Sequence, residues 1–203
     1  MERVWFITGA SRGFGRAFTE EAVKRGDKVI ATVRRVPHDD IFKHPSVLTV
    51  VMDVTKTDEV EKVIKDGMNR FGRIDVLINN AGFGFSGAFE ETTDEDLRNL
   101  FETDYFGVVN VTRRVIPLMR KAGKGVILNV SSQGGLMGFS GSSAYCAAKF
   151  AVVGLSDMVE KGNLPPRILI GAACCRAMKA RYEAELKDIA SYEAAASKTD
   201  FEE

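Results

Sequence analysis

The sequence predicts an α/β fold: a doubly wound parallel sheet flanked by helices on both faces. Three observations carry that expectation. Short Val/Ile-rich runs alternate with longer segments of helical pattern. The short runs are apolar almost throughout, as expected of strands covered on both faces. The first run ends in a glycine-rich turn that opens directly into a helical pattern. Right-handed crossovers between parallel strands then give a doubly wound sheet, with ligands expected beyond the carboxyl ends of the strands.

The elements run in order along the chain. "RVWFIT" (3–8) reads as a strand and "FGRAFTEEAVKRG" (14–26) as a helix ending at Gly26. "KVIATV" (28–33) and "LTVVMDV" (48–54) are the next two strands, and "DEVEKVIKDGMNRFG" (58–72) is helical. "DVLINN" (75–80) is the fourth strand. Residues 93–123 read as one long helix, with Thr93 as N-cap and an acidic first turn that suits the helix dipole. "GVILNVSS" (125–132) is the fifth strand, and a helix runs from about Ser143 to Lys161. "AMKARYEAELKDIASYEAA" (177–195) is helical, with Met178, Tyr182, Leu186 and Ile189 on one apolar stripe.

Bulk composition narrows the function classes. The chain has 203 residues, 45% of them hydrophobic, and its 28 basic and 28 acidic residues leave a formal net charge of +0. That fits one domain with a sizeable core and lacks the basic footprint of a nucleic-acid binder. No apolar run is long enough to span a bilayer, and "MERVWFITGA" lacks a signal peptide's apolar stretch. Three cysteines, two of them adjacent (Cys174 and Cys175), suggest reduced thiols and a cytoplasmic protein. His38 and His44 lie in a polar loop without metal-ligand spacing, so no metal is expected. Cys146 is expected to be a small buried residue.

Each strand end carries chemistry. Strand one ends in "TGASRGFG", whose Gly9, Gly13 and Gly15 permit a sharp turn and close approach to a pyrophosphate at a helix N-terminus. Strand two ends in "ATVRR", where an NAD site would want a carboxylate for the ribose hydroxyls. Arg34, Arg35 and the nearby Arg12 instead favour the extra phosphate of NADP, which guanidinium groups grip in a fork. Asp53 and Val54 close strand three, where the aspartate either accepts from an adenine amino group or caps the next helix. Strand four ends in "NNAG", whose small residues let a ribose pack on the backbone. Strand five ends in Ser131 and Ser132, and Tyr145 and Lys149 come after it, one helical turn apart.

Taken together and in this order, "TGASRGFG", "NNAG", "NVSS" and "YCAAK" resemble the short-chain dehydrogenase/reductase family over residues 1 to about 157. The resemblance implies a Rossmann core and these roles. Tyr145 is the general acid/base, and Lys149 binds the nicotinamide ribose and stabilises the phenolate. Ser132 holds the substrate carbonyl. Gly9, Ser11, Arg12, Gly13, Phe14 and Gly15 cradle the phosphates. Arg34 stands where NADP-preferring members carry a basic residue. Asp53, Val54, Asn80, Ala81 and Gly82 meet the adenosine and ribose. The chemistry is reasonable on its own terms: a free tyrosine titrates near ~10, and a neighbouring ammonium favours its phenolate. By the same resemblance, the helices around 93–121 and Tyr145 pair across a dimer axis. Phe101, Tyr105, Val108 and Val115 suit either that contact or packing on the sheet.

Two departures stand out. The family usually carries asparagine where Asp104 stands, an amide that holds a water in the proton relay; a carboxylate there can pair with Lys149 and partly cancel the field at Tyr145, or be protonated and mimic the amide, or simply accept the same water. Asp104 is therefore counted with the catalytic residues. After the Tyr145 helix, a strand, a Pro-Gly turn and a substrate lobe are missing, and the chain passes almost directly to "RILIG". The expectation is a single domain over 1–203 with a deletion or gap near 154–159. Either residues are missing at that seam, or the chain is shortened and "RILIG" takes the vacant place beside strand five. The first reading is favoured; it predicts a Cα step near the seam well beyond ~3.8 Å, and an unbroken helix there eliminates it.

The expected function is an NADP-dependent oxidoreductase that interconverts a small-molecule carbonyl and an alcohol, as a homo-oligomer with neither nucleic acid nor membrane as partner. The alternative is a weak or inactive dinucleotide-binding protein. An epimerase or dehydratase with a related Tyr/Lys pair is disfavoured by the glycine spacing and "NNAG".

Overall fold

The computed structural model describes residues 2–161 and 168–173. Six parallel strands form one sheet in the order β3-β2-β1-β4-β5-β6. They are β1 (Val4–Ile7), β2 (Lys28–Val33), β3 (Val47–Val51), β4 (Val76–Asn79), β5 (Gly125–Val130) and β6 (Ile168–Ala173). The helices are α1 (Gly13–Lys24), α2 (Thr57–Phe71), α3 (Asp94–Phe101), α4 (Gly107–Ala122) and α5 (Ser143–Lys161). The order reverses between β1 and β4, so the switch point lies where the glycine turn meets "NNAG".

Alternation along β1 assigns the two faces. Val4 and Phe6 pack with Val60, Val63 and Ile64 of α2 and Val111, Val115 and Met119 of α4. Trp5 and Ile7 pack on the other side with Phe18 and Ala22 of α1. Complete burial of a side chain the size of Phe6 contributes roughly 1.5–3 kcal/mol. Cover is less even on β5. Ile127 is fully buried against the α2–α4 layer, whereas Val126, Leu128 and Val130 on the α1 side are only half-buried. Val108 and Val115 turn into the core, which resolves their reading toward sheet packing; Phe106 and Phe150 face outward.

One expectation needs correction. Residues 93–123 are not one α-helix. Thr93 does cap, its Oγ1 accepting from the Asp96 N–H at 3.1 Å, but α3 gives way to a π-turn over Glu102–Phe106 before α4 begins. A π-turn inserts an extra residue and rotates the helix beyond it, which here carries Asp104 to the interior. The seam falls inside a helix: α5 runs through 154–159, anchored by Ser156, whose hydroxyl donates to Val152 O and accepts from Asn129 Nδ2. Strand β6 lies parallel beside β5, with Gly125 opposite Ile168. The helix expected at 177–195 lies outside the described residues.

Candidate active site

The carboxyl ends of the strands surround one cleft of about 320 Å³. The ends of β3, β2 and β1 bring Asp53, Val54, Arg34, Gly9, Ser11, Arg12, Gly13 and Phe14 to one side of it, the end of β4 brings Asn80, Ala81 and Gly82, and Asp104, Tyr145 and Lys149 also line it. The structure thus gathers nearly all the residues singled out from sequence, drawn from segments up to 140 positions apart.

The glycine turn is shaped by close backbone approach. Gly9 has φ +65°, and a Cβ there would stand 2.9 Å from Ala81 Cα. Gly15 is buried beneath the turn, where a Cβ would collide with Gly9 O; it shapes the wall without lining it. Helix α1 then starts with Arg12 as an N-cap that makes no side-chain bond, and its first turn has no acidic residue. Its leading N–H groups are left to an anion. A Cβ at Gly13 would meet nothing within 4 Å, so space lies in front of them. These features fit a dinucleotide pyrophosphate.

Residues not foreseen from sequence hold this wall. The Thr8 hydroxyl accepts from the N–H groups of Asn80 (2.9 Å) and Ala81 (3.0 Å). The Asn80 side chain donates to Thr8 O and Gly9 O, both at 3.0 Å. Its amide therefore pins the glycine turn. Asn79, one residue earlier, points into the core and donates to Thr112 Oγ1 (2.8 Å) and Asn129 Oδ1 (2.7 Å). Asp53 keeps its place in the cleft while its Oδ1 accepts from the Thr55 N–H and hydroxyl. Arg12 and Arg34 are both exposed, and no ion pair holds either among the described residues. Arg16, by contrast, is held by Glu20 and Asp39.

At the other end lies a buried charge pair. Lys149 Nζ is 3.0 Å from Asp104 Oδ2, with the two side chains 7% and 0% exposed. Asp104 Oδ1 accepts from the Phe83 N–H at 2.9 Å. The Oδ2 contact is an ion pair without aligned hydrogen-bond geometry. Burial pushes the Asp104 carboxyl above the usual carboxylate range; the Lys149 charge and the Phe83 N–H pull the other way and do not fully offset it. Lys149 also donates to Val130 O at 3.3 Å and stands 5.6 Å from the centre of the half-buried Tyr145 ring.

Ser132 sits beside this group rather than in the cleft wall. Its Oγ accepts from the Gly134 N–H at 3.1 Å, in a short turn over Gln133–Gly135 that packs against the Tyr145 ring. The cleft wall at that point is Ser131, whose hydroxyl donates to Lys149 O at 3.2 Å. Adjacent residues of an extended chain point to opposite sides, so the two hydroxyls meet different partners.

The profile of the family described as short chain dehydrogenase matches residues 3–190. A 3-ketodihydrosphingosine reductase of Bacteroides thetaiotaomicron is 43% identical over 155 residues, 76% of this chain and 56% of that protein. The chain spans about 56–60% of the length of three of the curated relatives it matches. Among solved structures, a short-chain dehydrogenase from Streptomyces avermitilis superposes with a TM-score of 0.80 at 37% identity, covering 99% of this chain and 85% of that one. ElxO with NADP bound gives 0.79 at 28% identity, covering 90% and 80%.

Proposed function

Because this chain belongs to the short chain dehydrogenase family, we propose that it is an NADP-dependent oxidoreductase interconverting a carbonyl compound and an alcohol. The observation that carries the reading is Lys149 Nζ, 5.6 Å from the Tyr145 ring centre, in the same cleft as an uncapped helix start and two guanidinium groups with no ion pair among the described residues.

The residues divide the work. The N–H groups at the start of α1, with Gly9, Ser11, Gly13 and Phe14, hold the pyrophosphate, and Gly15 shapes the turn beneath them. Arg12 and Arg34 grip a ribose phosphate, which supports NADP over NAD. Asp53, Val54, Asn80, Ala81 and Gly82 form the adenosine and ribose wall. When bound, the reduced cofactor supplies a hydride to the carbonyl carbon. Tyr145 gives its hydroxyl proton to the substrate oxygen and takes it back in the reverse direction. Lys149 stabilises the phenolate left behind and offers its remaining N–H to the cofactor ribose. Ser132 steadies the carbonyl from the turn beside the Tyr145 ring.

Asp104 holds Lys149 in place, and its negative charge opposes the phenolate that Lys149 favours. This pair also favours a second reading: a dinucleotide-binding protein with little turnover. The same proposal takes residues 1–203 as one domain with a deletion or gap near 154–159, cytoplasmic, and homo-oligomeric through the outward Phe106 and Phe150. Among the described residues no helix is long and apolar enough to cross a membrane.

The deciding experiment is consumption of NADPH and of NADH by the full chain against ketones, aldehydes and quinones, with Tyr145→Phe as control. NADPH oxidation that is lost in the variant supports the oxidoreductase. Tight NADPH binding without consumption against any carbonyl supports the second reading.

A further inference from the structure

The mouth of the cleft beyond Tyr145 combines two features. The first is charge. Residues 80–89, after β4, and 131–148, after β5 and into the first turns of α5, contain no Asp, Glu, Lys or Arg, in a chain that is 28% charged. The second is apolar exposure. Phe83 and Phe89 on the first loop are 38% and 78% exposed; Leu136, Met137 and Phe139 on the second are 64%, 58% and 43% exposed.

These loops belong to one feature. The Gly87 N–H donates to Gly141 O at 2.9 Å and ties them together. The second loop starts at the turn packed on the Tyr145 ring, and the first starts at Phe83, whose N–H holds Asp104. The apolar rim is therefore continuous with the proton-transfer group. Large side chains exposed together beside a cleft mark a ligand surface more often than an ordinary exterior.

We propose that the substrate is a neutral carbonyl compound, or its alcohol, carrying an extended apolar chain that lies along this rim. The inference rests on the oxidoreductase reading and adds the substrate class. Tyr145 takes the oxygen end, and the alkyl chain covers Leu136, Met137 and Phe139 on one side and Phe83 and Phe89 on the other. A carboxylated or phosphorylated substrate would find no cation on either loop, so charge complementarity argues for a neutral molecule.

The test is calorimetric titration of the full chain, with and without saturating NADP, using neutral alcohols from butan-2-ol to decan-2-ol and their ω-carboxylated counterparts. The dissociation constant is expected to fall roughly two- to fourfold per added methylene. The ω-carboxylate should erase that gain, and the double variant L136S/M137S should flatten the slope. A flat series, equal or tighter binding of the carboxylated compounds, or an undiminished slope in the double variant would each overturn the proposal. So would sedimentation showing that the double variant loses only an oligomer, since the rim would then cover a second copy. Turnover is scored separately. Alcohols that bind with the expected slope but are never oxidised count against the redox chemistry alone. Ketones reduced without regard to chain length count against the apolar subsite alone.

Discussion

At the ends of β1 and β2 the cleft is made of backbone and of guanidinium groups that are exposed and have no ion pair among the described residues. At the ends of β4 and β5 it is made of a carboxylate and an ammonium taken out of solvent and held against each other. The first arrangement asks little of the rest of the protein: a turn with space over Gly13 and a helix start without a cap. The second depends on several distant segments. Asp104 comes from a π-turn, Lys149 from α5, and the N–H that orients the carboxylate from the loop after β4. The two ends should accordingly fail differently. Damage at the adenosine end should appear in cofactor affinity. Damage at the catalytic end should appear in turnover and in pH-dependent stability.

The largest effect is expected for Lys149→Met. Loss of the ammonium should lower turnover about 10²–10⁴-fold. It also leaves Asp104 buried without a counter-charge, a loss that costs about 3–5 kcal/mol. The raised Asp104 carboxyl sets the sign with pH. A carboxyl raised in the folded state binds its proton more tightly there than in the unfolded chain, so stability increases as pH falls through the folded value. Removing Lys149 raises that value further. Thermal melts across pH should therefore show the gap between variant and parent closing toward acid; a gap independent of pH would contradict the buried-pair account.

Gly15→Ala comes next. Its Cβ would meet Gly9 O and lie 2.6 Å from Asn80 Nδ2, so the turn must open. Overpacking of this kind costs about 1–3 kcal/mol. Affinity for NADPH and NADH should fall together, as measured by fluorescence titration. If only one cofactor were affected, the turn would be reading the ribose phosphate rather than the pyrophosphate.

Arg34→Ala should be smaller and selective. Loss of one charge-assisted contact should weaken NADPH by roughly 10–100-fold and leave NADH near its starting value. Equal weakening of both would remove the argument for NADP.

The smallest change is expected for Asp104→Asn, which keeps an acceptor for the Phe83 N–H and removes the charge that opposes a phenolate. Turnover should hold or rise. In alcohol oxidation the rising limb of the pH–rate profile should move to lower pH. Below the raised Asp104 value the parent carboxyl is neutral too, so the two profiles should converge toward acid. A large loss of turnover would mean that the carboxylate is required, and the contrast between the two ends of the cleft would narrow.

The adenosine end is largely legible in the sequence, because its parts are local. A strand of apolar residues, a turn of glycines and a following helix are written within about twenty positions, and φ/ψ preferences act at that range. The one-turn spacing of Tyr145 and Lys149 is local in the same sense. Less legible are features that depend on what a residue meets. Asn80 reads as a cofactor contact, yet its side chain holds Thr8 and Gly9. Ser132 reads as a substrate contact, yet it is Ser131 that lines the cleft while Ser132 Oγ accepts from the Gly134 N–H.

By itself, then, the sequence determined a parallel sheet, the places where its strands end, and the residue types gathered there. Only the tertiary structure decided that residues 102–106 form a π-turn, that Asp104 enters the interior to meet Lys149, and that α5 passes through 154–159 before β6 joins β5. Backbone preferences act over a few residues. The cost of burying a charge is set instead by partners brought in from elsewhere in the chain, and those exist only once the layers have packed.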